Sequence, residues 1–473
     1  MNINQMKPKI GLLLLTAEWF TQIGATQGTF AALPERLAAD ATAIEAALGA
    51  EMDVVNPGVL DDVDGVRRAV ALFREREIEG IVACQITWGE DRLLLEAVRL
   101  MGDLPLLLWC YSPHLYLPAR MSMVELFRSS GPVGILQASG PLKRLGRKFA
   151  FAFGSYANPE TIGGIAAFAR AARLAGRLRS VRIGVLPYRC DLMTGTYIDE
   201  FRLRHELGPE LRYLSVHEYQ SFCEQIPGAE VDAFVADLRA RYKVAPAVTE
   251  AGLSKGARAS LGLALLAERH TLDALAIDDG NGELHRLFGL RPCLYVPALF
   301  ARAVVSMEAD LGGAVAMLAL RELAGKAPMY AEIFTYDKEE NVLLMGHAGI
   351  HDVAGLVDGA AEILLEPDGE YAESEPDSAW MSFRARGGRV TMLSVFCDRD
   401  RFKLIASHGE ALQGPRVLLG SPHIVVRAAT PLPEFFVRAV RTGMTQHWAV
   451  AHAQVLPELA MLAEILGAEM VVI

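Results

Sequence analysis

Cysteine is scarce in this chain, six residues in 473, and no two of them stand in a CxxC or other paired spacing. A disulfide framework and a zinc-ribbon arrangement are therefore not expected; Cys84, Cys110, Cys190, Cys223, Cys293 and Cys397 read as reduced, mostly buried thiols. No block of lysine and arginine occurs, and the net charge is −11, which argues against nucleic acid or an anionic membrane as a partner. No uncharged apolar segment is long enough to span a bilayer. The short run "KIGLLLLT" gives way to polar residues without a cleavage-like small-residue site, so a secretory signal is not expected either. These absences predict a soluble, cytoplasmic protein. Nucleotide signatures are missing too: there is no GxGxxG after a first strand and no GxxxxGK[ST]. "GLSKG" (252–256) fits the GxSxG pattern, but a hydrolase elbow needs a strand before its serine. Here loop residues precede a helix, and Ser254 reads as capping or opening it.

What is present is ample core-forming material, 52% hydrophobic and 22% charged residues, enough for two to four domains. From Lys9 onward, short aliphatic runs ("KIGLLLLT", "EMDVVNP", "EGIVACQIT", "LPLLLWCYS") alternate with helical patterns around 33–48, 66–76 and 92–101. That rhythm predicts a parallel sheet covered on both faces. It restarts with "RSVRIGVLP" and continues to "LDALAIDD", where Asp278 and Asp279 read either as a ligand-facing pair at a strand end or as a turn. A helical run is expected over 297–323. After Met329 the grammar changes to short alternating strands with hairpin turns, interrupted by the acidic "EPDGEYAESEPDS", which reads as a solvated loop. The predicted fold is α/β: two Rossmann-like parallel-sheet lobes (1–177 and 178–326) followed by a mainly antiparallel, β-barrel-like domain (327–473).

Within "AEIFTYDKEENVLLMGHAGIH" (331–351), Glu332 and His347 interrupt apolar strand patterns. A hairpin centred between Glu339 and Glu340 pairs positions whose numbers sum to 679, which sets Glu332 opposite His347 with Cβ atoms about 5 Å apart. Such a pair can share a divalent ion or form a buried His–Glu pair; His351 falls at the rim. Glu308 stands in an otherwise apolar helical stretch with Asp310 two residues on, and buried glutamates are rare without a partner or a metal. "RTGMTQHWAVAHAQ" adds His447 and His452. Two carboxylates and two imidazoles suit Mn²⁺ or a similar ion with open positions for oxygen ligands.

At these residues the chain resembles the L-arabinose/L-fucose isomerase superfamily, and most closely its arabinose isomerase branch. Glu308-Ala309-Asp310 is similar to the family's Glu-Gly-Asp, "AEIFTY" to its Met-Glu-Asp-Tyr-Thr-Tyr, and His347 to its metal-binding histidine. "DRDRFKLIAS" resembles Gly-Asp-Arg-Phe-Arg-Leu-Ile, and the closing segment resembles a Gly-Gly-x-His-His-Thr helix and strand. The resemblance implies a metal site of Glu308, Glu332, His347 and His447, with Mn²⁺, or Co²⁺ or Mg²⁺ in its place, and His452 outside it. It implies Glu308 and Glu332 as an acid/base pair for aldose–ketose isomerisation through an enediol(ate), an intramolecular oxidoreductase reaction on a small sugar. It also implies a homotrimer or homohexamer with the site at a subunit interface, and it puts Gln85, Trp88 and Met193 near the family's pocket segments, where a packing role competes with a sugar contact. The chain departs from the family at "ELFRSSGPVG", which has neither the glutamine nor the histidine of the family's sugar-contacting segment. "LMGHAG" is nearer the His-Cys-Gly of fucose isomerases. An L-arabinose- or L-fucose-like substrate is expected, against two alternatives: a metal-dependent sugar epimerase using the same site, and a non-catalytic sugar-binding protein.

Overall fold

The computed structural model describes residues 7–23, 30–371 and 373–473. They form two compact units, Met1–Gly176 with Pro457–Gly467, and Arg177–Leu456 with Ala468–Ile473. In the first, five parallel strands lie in the order Asp53–Val55, Lys9–Leu15, Gly80–Gln85, Leu106–Tyr111, Ala150–Gly154, and Val59–Leu60 also pairs with Lys9–Leu15. Successive residues of a strand point to opposite faces, and here they feed two cores. Ile10, Leu12 and Leu14 pack with the helices Leu33–Gly49 and Pro159–Leu178. Leu13 and Leu15 pack with Val63–Glu75, Asp91–Met101 and Gly131–Arg144. Both faces being covered explains why these strands read as unbroken aliphatic runs. The helix Leu456–Leu466 adds Met461 and Ile465 to the first of these cores, and Glu458 accepts two hydrogen bonds from Arg170 at 2.9 and 2.7 Å.

The second unit opens with four parallel strands in the order Val304–Met307, Ala274–Ile277, Arg182–Leu186, Glu210–Tyr213. The predicted helix over 297–323 is in fact a helix Pro297–Arg302, the strand Val304–Met307 and a helix Leu311–Ala324. A four-residue buried strand of valine, serine and methionine has no periodicity to separate it from helix. Leu311 to Leu320 are all buried, because this helix packs against Val304–Met307 and Ala274–Ile277 as well as against two strands of the next sheet, His447–Ala451 and Gly388–Cys397. That sheet is mainly antiparallel and runs Gly388–Cys397, His447–Ala451, Met329–Asp337, Val342–Gly346, His423–Ala428, Phe402–Ala411, Glu469–Val472. Phe402–Ala411 also pairs along its length with Gly388–Cys397, so the path of pairings returns to its start.

Two smaller expectations are corrected. Thr249, whose side chain accepts from the Gly252 N–H, caps the helix Glu250–Arg269, and Ser254 lies inside it. The acidic segment is anchored and not wholly solvated: Gly369, Glu370, Glu373, Ser374 and Pro376 are exposed, but Asp368 is 1% exposed and takes a bidentate pair from buried Arg291 at 2.9 and 2.8 Å. The six cysteines are unpaired, and all but Cys397 are buried. Among the described residues no helix is long and apolar enough to cross a membrane.

Candidate metal centre

Glu308 follows the strand Val304–Met307 at the carboxyl edge of the four-stranded parallel sheet, the edge where open α/β sheets usually bind ligands. It is therefore not helical, as its apolar setting suggested, and the backbone turns through two left-handed residues, Glu308 at φ 58 and Ala309 at φ 49. Neither is glycine, so the turn costs roughly 1–2 kcal/mol per residue. Three hydrogen bonds impose it. The Glu308 N–H donates to Asp279 Oδ1 at 3.0 Å, the Ala309 N–H to the Ile277 carbonyl at 2.9 Å, and the Ser306 hydroxyl to the Asp310 carbonyl at 2.8 Å.

The antiparallel sheet supplies two imidazoles. His447 opens the strand His447–Ala451, and His347 follows Val342–Gly346; these strands flank Met329–Asp337 on either side. One ligand atom from each of Glu308, His347 and His447 lies within 4.8 Å of the other two. Both rings have their Nδ1 atoms committed elsewhere. That of His447 donates to Asp310 Oδ2 at 2.9 Å, and that of His347 to the Ala348 carbonyl at 2.8 Å. With Nδ1 so committed, each ring in its neutral form turns its Nε2 lone pair toward Glu308, the carboxylate–histidine arrangement common around metals. His347 Nε2 is buried without a hydrogen-bond partner, and Glu308 Oε2 and His447 Nε2 are buried and meet only each other, 2.8 Å apart. Buried polar atoms are rarely left so, and a carboxylate oxygen with two imidazole nitrogens is a donor set for a divalent transition ion. The residues fit the implied metal.

Asp310 is fully buried and also accepts from the Tyr330 hydroxyl at 3.0 Å. Burial first, then the Asp310 and Glu308 charges, push the Tyr330 hydroxyl far up, so it remains a donor. Its ring stacks obliquely on both histidines, with centroids 5.0 Å from His347 and 4.8 Å from His447. Tyr330 lies two residues before Glu332 and so shares its face of the strand; that period was the available sequence signal for it. Gly313 matters to the same contact. A Cβ there would stand 2.5 Å from the Tyr330 ring and 2.6 Å from Asp310 Oδ2. Gly313→Ala is expected to cost about 1–3 kcal/mol by overpacking and to weaken cation binding by displacing Asp310, read by thermal melting and a Mn²⁺ titration; an unchanged titration would show that Asp310 does not govern His447.

With no cation bound, burial opposes charge on both histidines, yet the Glu308 carboxylate, with Asp310 beside His447, outweighs it. His347 is raised and His447 is pushed up to about 9, while the two rings overcome the burial of Glu308 and hold it far below the usual carboxylate range. Nε2 of His447 lies 2.8 Å from Glu308 Oε2, and Nε2 of His347 3.7 Å from Oε1. A cation must therefore displace a proton from His447. Its apparent affinity is expected to rise with pH through the neutral range and to level off near 9, with proton release visible as a buffer-dependent binding enthalpy. A flat profile from pH 6 to 9 would contradict this.

The hairpin register needs correction. From Thr335 to Asp337 the pairing has the expected sum, Thr335 with Leu344, Tyr336 with Leu343, Asp337 with Val342. A bulge at Phe334 then shifts it by one, so Glu332 faces Gly346 rather than His347. Nothing in the hydropathy marks that extra residue. On its other side Glu332 pairs directly with His447, which puts the two side chains on one face. Glu332 is half-buried and, among the described residues, makes no hydrogen bond or ion pair. The structure thus brings Glu308, His347 and His447 together and leaves Glu332 beside them without joining the group.

His351 is buried rather than at a rim. Burial holds it down at about 4, so it is neutral and donates to the His347 carbonyl at 2.9 Å. His452 donates instead to the Arg386 carbonyl at 2.8 Å. Met193 accepts a hydrogen bond from Gln446, the residue before His447, at 3.1 Å. Gln85 and Trp88 lie in the other unit. Gln85 is buried at the end of its strand with both amide atoms unpartnered, and Trp88 donates to Gln137 at 2.9 Å.

No protein-family model matches the chain. A sulfoquinovose isomerase of Priestia aryabhattai is 22% identical over 421 residues, 87% of this chain and 89% of that one. An L-arabinose isomerase of Arthrobacter sp. (strain FB24) is 24% identical over 448 residues, 89% and 84% of the two chains. A sulfoquinovose isomerase of Alkalicoccus urumqiensis is 28% identical over 193 residues, 40% of this chain and 41% of that one. Among solved structures, a periplasmic solute binding protein from Actinobacillus succinogenes with bound D-allose is 12% identical, covers 68% of this chain and 84% of its own, and has a TM-score of 0.14, too low to carry an argument.

Proposed function

We propose that this chain, a member of the arabinose isomerase-like superfamily, is a metal-dependent aldose–ketose isomerase. One observation carries the metal: three buried atoms, Glu308 Oε2 and the Nε2 atoms of His347 and His447, face one another with no hydrogen-bond partner outside their own group. A bound divalent cation, Mn²⁺ in the first instance and Co²⁺ or Mg²⁺ otherwise, supplies a Lewis acid for the sugar carbonyl and the oxygen beside it. The chain's own residues do the rest. Asp310 and Tyr330 fix the His447 ring, and the Ala348 carbonyl fixes that of His347. Glu332, on the same sheet face as His447, takes and returns the proton that moves between C1 and C2, and Glu308 serves beside it.

Two substrate classes stand open. The resemblance favours an L-arabinose- or L-fucose-like sugar. The Priestia relative, matched over 87% of this chain, favours sulfoquinovose, and the missing glutamine and histidine in "ELFRSSGPVG" fit a pocket unlike that of arabinose isomerases. The test is chelator-stripped protein, with and without added Mn²⁺, on a panel of pentoses, 6-deoxyhexoses and sulfoquinovose. Metal-dependent ketose formation from one class is expected. Sugar binding without turnover would make the chain a binding protein, and a product epimeric at a single carbon would make it an epimerase.

A further inference from the structure

Asp279 is 3% exposed and touches no ligand atom, yet it accepts the N–H of Glu308 at 3.0 Å, at the first of the two left-handed residues. That conformation aims the Glu308 carboxylate at the two imidazoles, and an L-residue holds it only under constraint. Asp279 is itself fixed from three directions. Its other oxygen, Oδ2, lies 3.5 Å from Nη1 of Arg291, a buried guanidinium that also binds Asp368 and Glu370 and sits over the rings of Tyr371 and Trp380. Its carbonyl accepts from His285 Nε2 at 2.9 Å, while His285 Nδ1 bonds Glu375 at 2.7 Å. Gly349, at φ +106, closes the third side: a Cβ there would come 3.5 Å from Asp279 Oδ2 and 2.7 Å from Met307 Cγ.

We infer that Asp279, locked by Arg291, His285 and the docked acidic segment, is a positioning residue that holds Glu308 in its metal-binding conformation. This rests on the reading of Glu308 as a metal ligand. An uncharged acceptor of the same shape satisfies the Glu308 N–H as well as a carboxylate does, whereas a side chain with no acceptor leaves that amide unpaired and the turn free to relax.

The test is Mn²⁺ titration by calorimetry of chelator-stripped wild type, Asp279→Asn and Asp279→Ala, without sugar, beside thermal melts of the metal-free proteins. Asp279→Ala should bind Mn²⁺ about 10-fold or more weakly, the usual loss when support behind a ligand is removed, and Asp279→Asn should stay within about 3-fold of wild type. Where Asp279→Ala does not fold, Asp279→Ser, too short to span the bond, takes its place at the same threshold. Wild-type affinity in the alanine or serine variant, or equal weakening in the asparagine variant, overturns the inference and leaves the ligand set standing. A wild type that binds no Mn²⁺ overturns both.

Discussion

Glu308→Gln is expected to fold, to lose tight Mn²⁺ binding and to lower aldose–ketose turnover by about 10³-fold or more. The substitution keeps the side chain's shape and removes its charge. At a site where His347 and His447 present only neutral nitrogen, that charge is what makes a dication bind in preference to water. The same change removes the nearest anion from Nε2 of His447, 2.8 Å away, so in the metal-free protein the His447 titration should move down from about 9, leaving Asp310 as its charged partner. Calorimetry, a ketose assay and a histidine NMR titration read the three consequences. Undiminished Mn²⁺ affinity would remove Glu308 from the ligand set, and an unmoved His447 titration would mean that the two groups do not face each other as described.

Glu332→Gln has the second large effect, of a different kind. Glu332 pairs with His447 across the ladder but lies outside the three-atom group. Turnover should fall by about 10²–10⁴-fold, the span of general acid–base catalysis, while Mn²⁺ affinity changes by no more than several-fold. A collapse of affinity and turnover together would make Glu332 a fourth ligand, as the family resemblance implies. Turnover within a few-fold of wild type would end its proton-transfer role.

The sequence carried the architecture where its signals are local. The strand–helix alternation, the turn between the strands ending at Asp337 and starting at Val342, and the ladder from Thr335 to Asp337 follow from hydropathy and turn chemistry. Glu308, His347 and His447 could be singled out because each is a polar residue in an apolar setting. What failed was decided by tertiary contact. The Phe334 bulge leaves no mark in composition, Val304–Met307 is too short to be told from helix, and the acidic segment is anchored by Arg291 and His285, which lie far from it in the sequence. Asp279 was visible only as half of a pair that read either as ligand-facing or as a turn, because its hydrogen bond to the Glu308 backbone joins two separate strand ends.

The helix Leu456–Leu466 bears on how this protein is made. The last strand of the first unit's sheet is complete by Gly154, but Met461 and Ile465, which pack against one of its cores, follow only after most of the second unit's sequence. At about 5–20 residues per second the delay is on the order of tens of seconds, during which the part of that core covered by Met461 and Ile465 stands open to solvent and to chaperones. Deleting the helix Leu456–Leu466 would thus injure a unit built mostly from residues far back in the sequence, and a nascent chain stalled before Leu456 should be recovered with that unit still susceptible to protease.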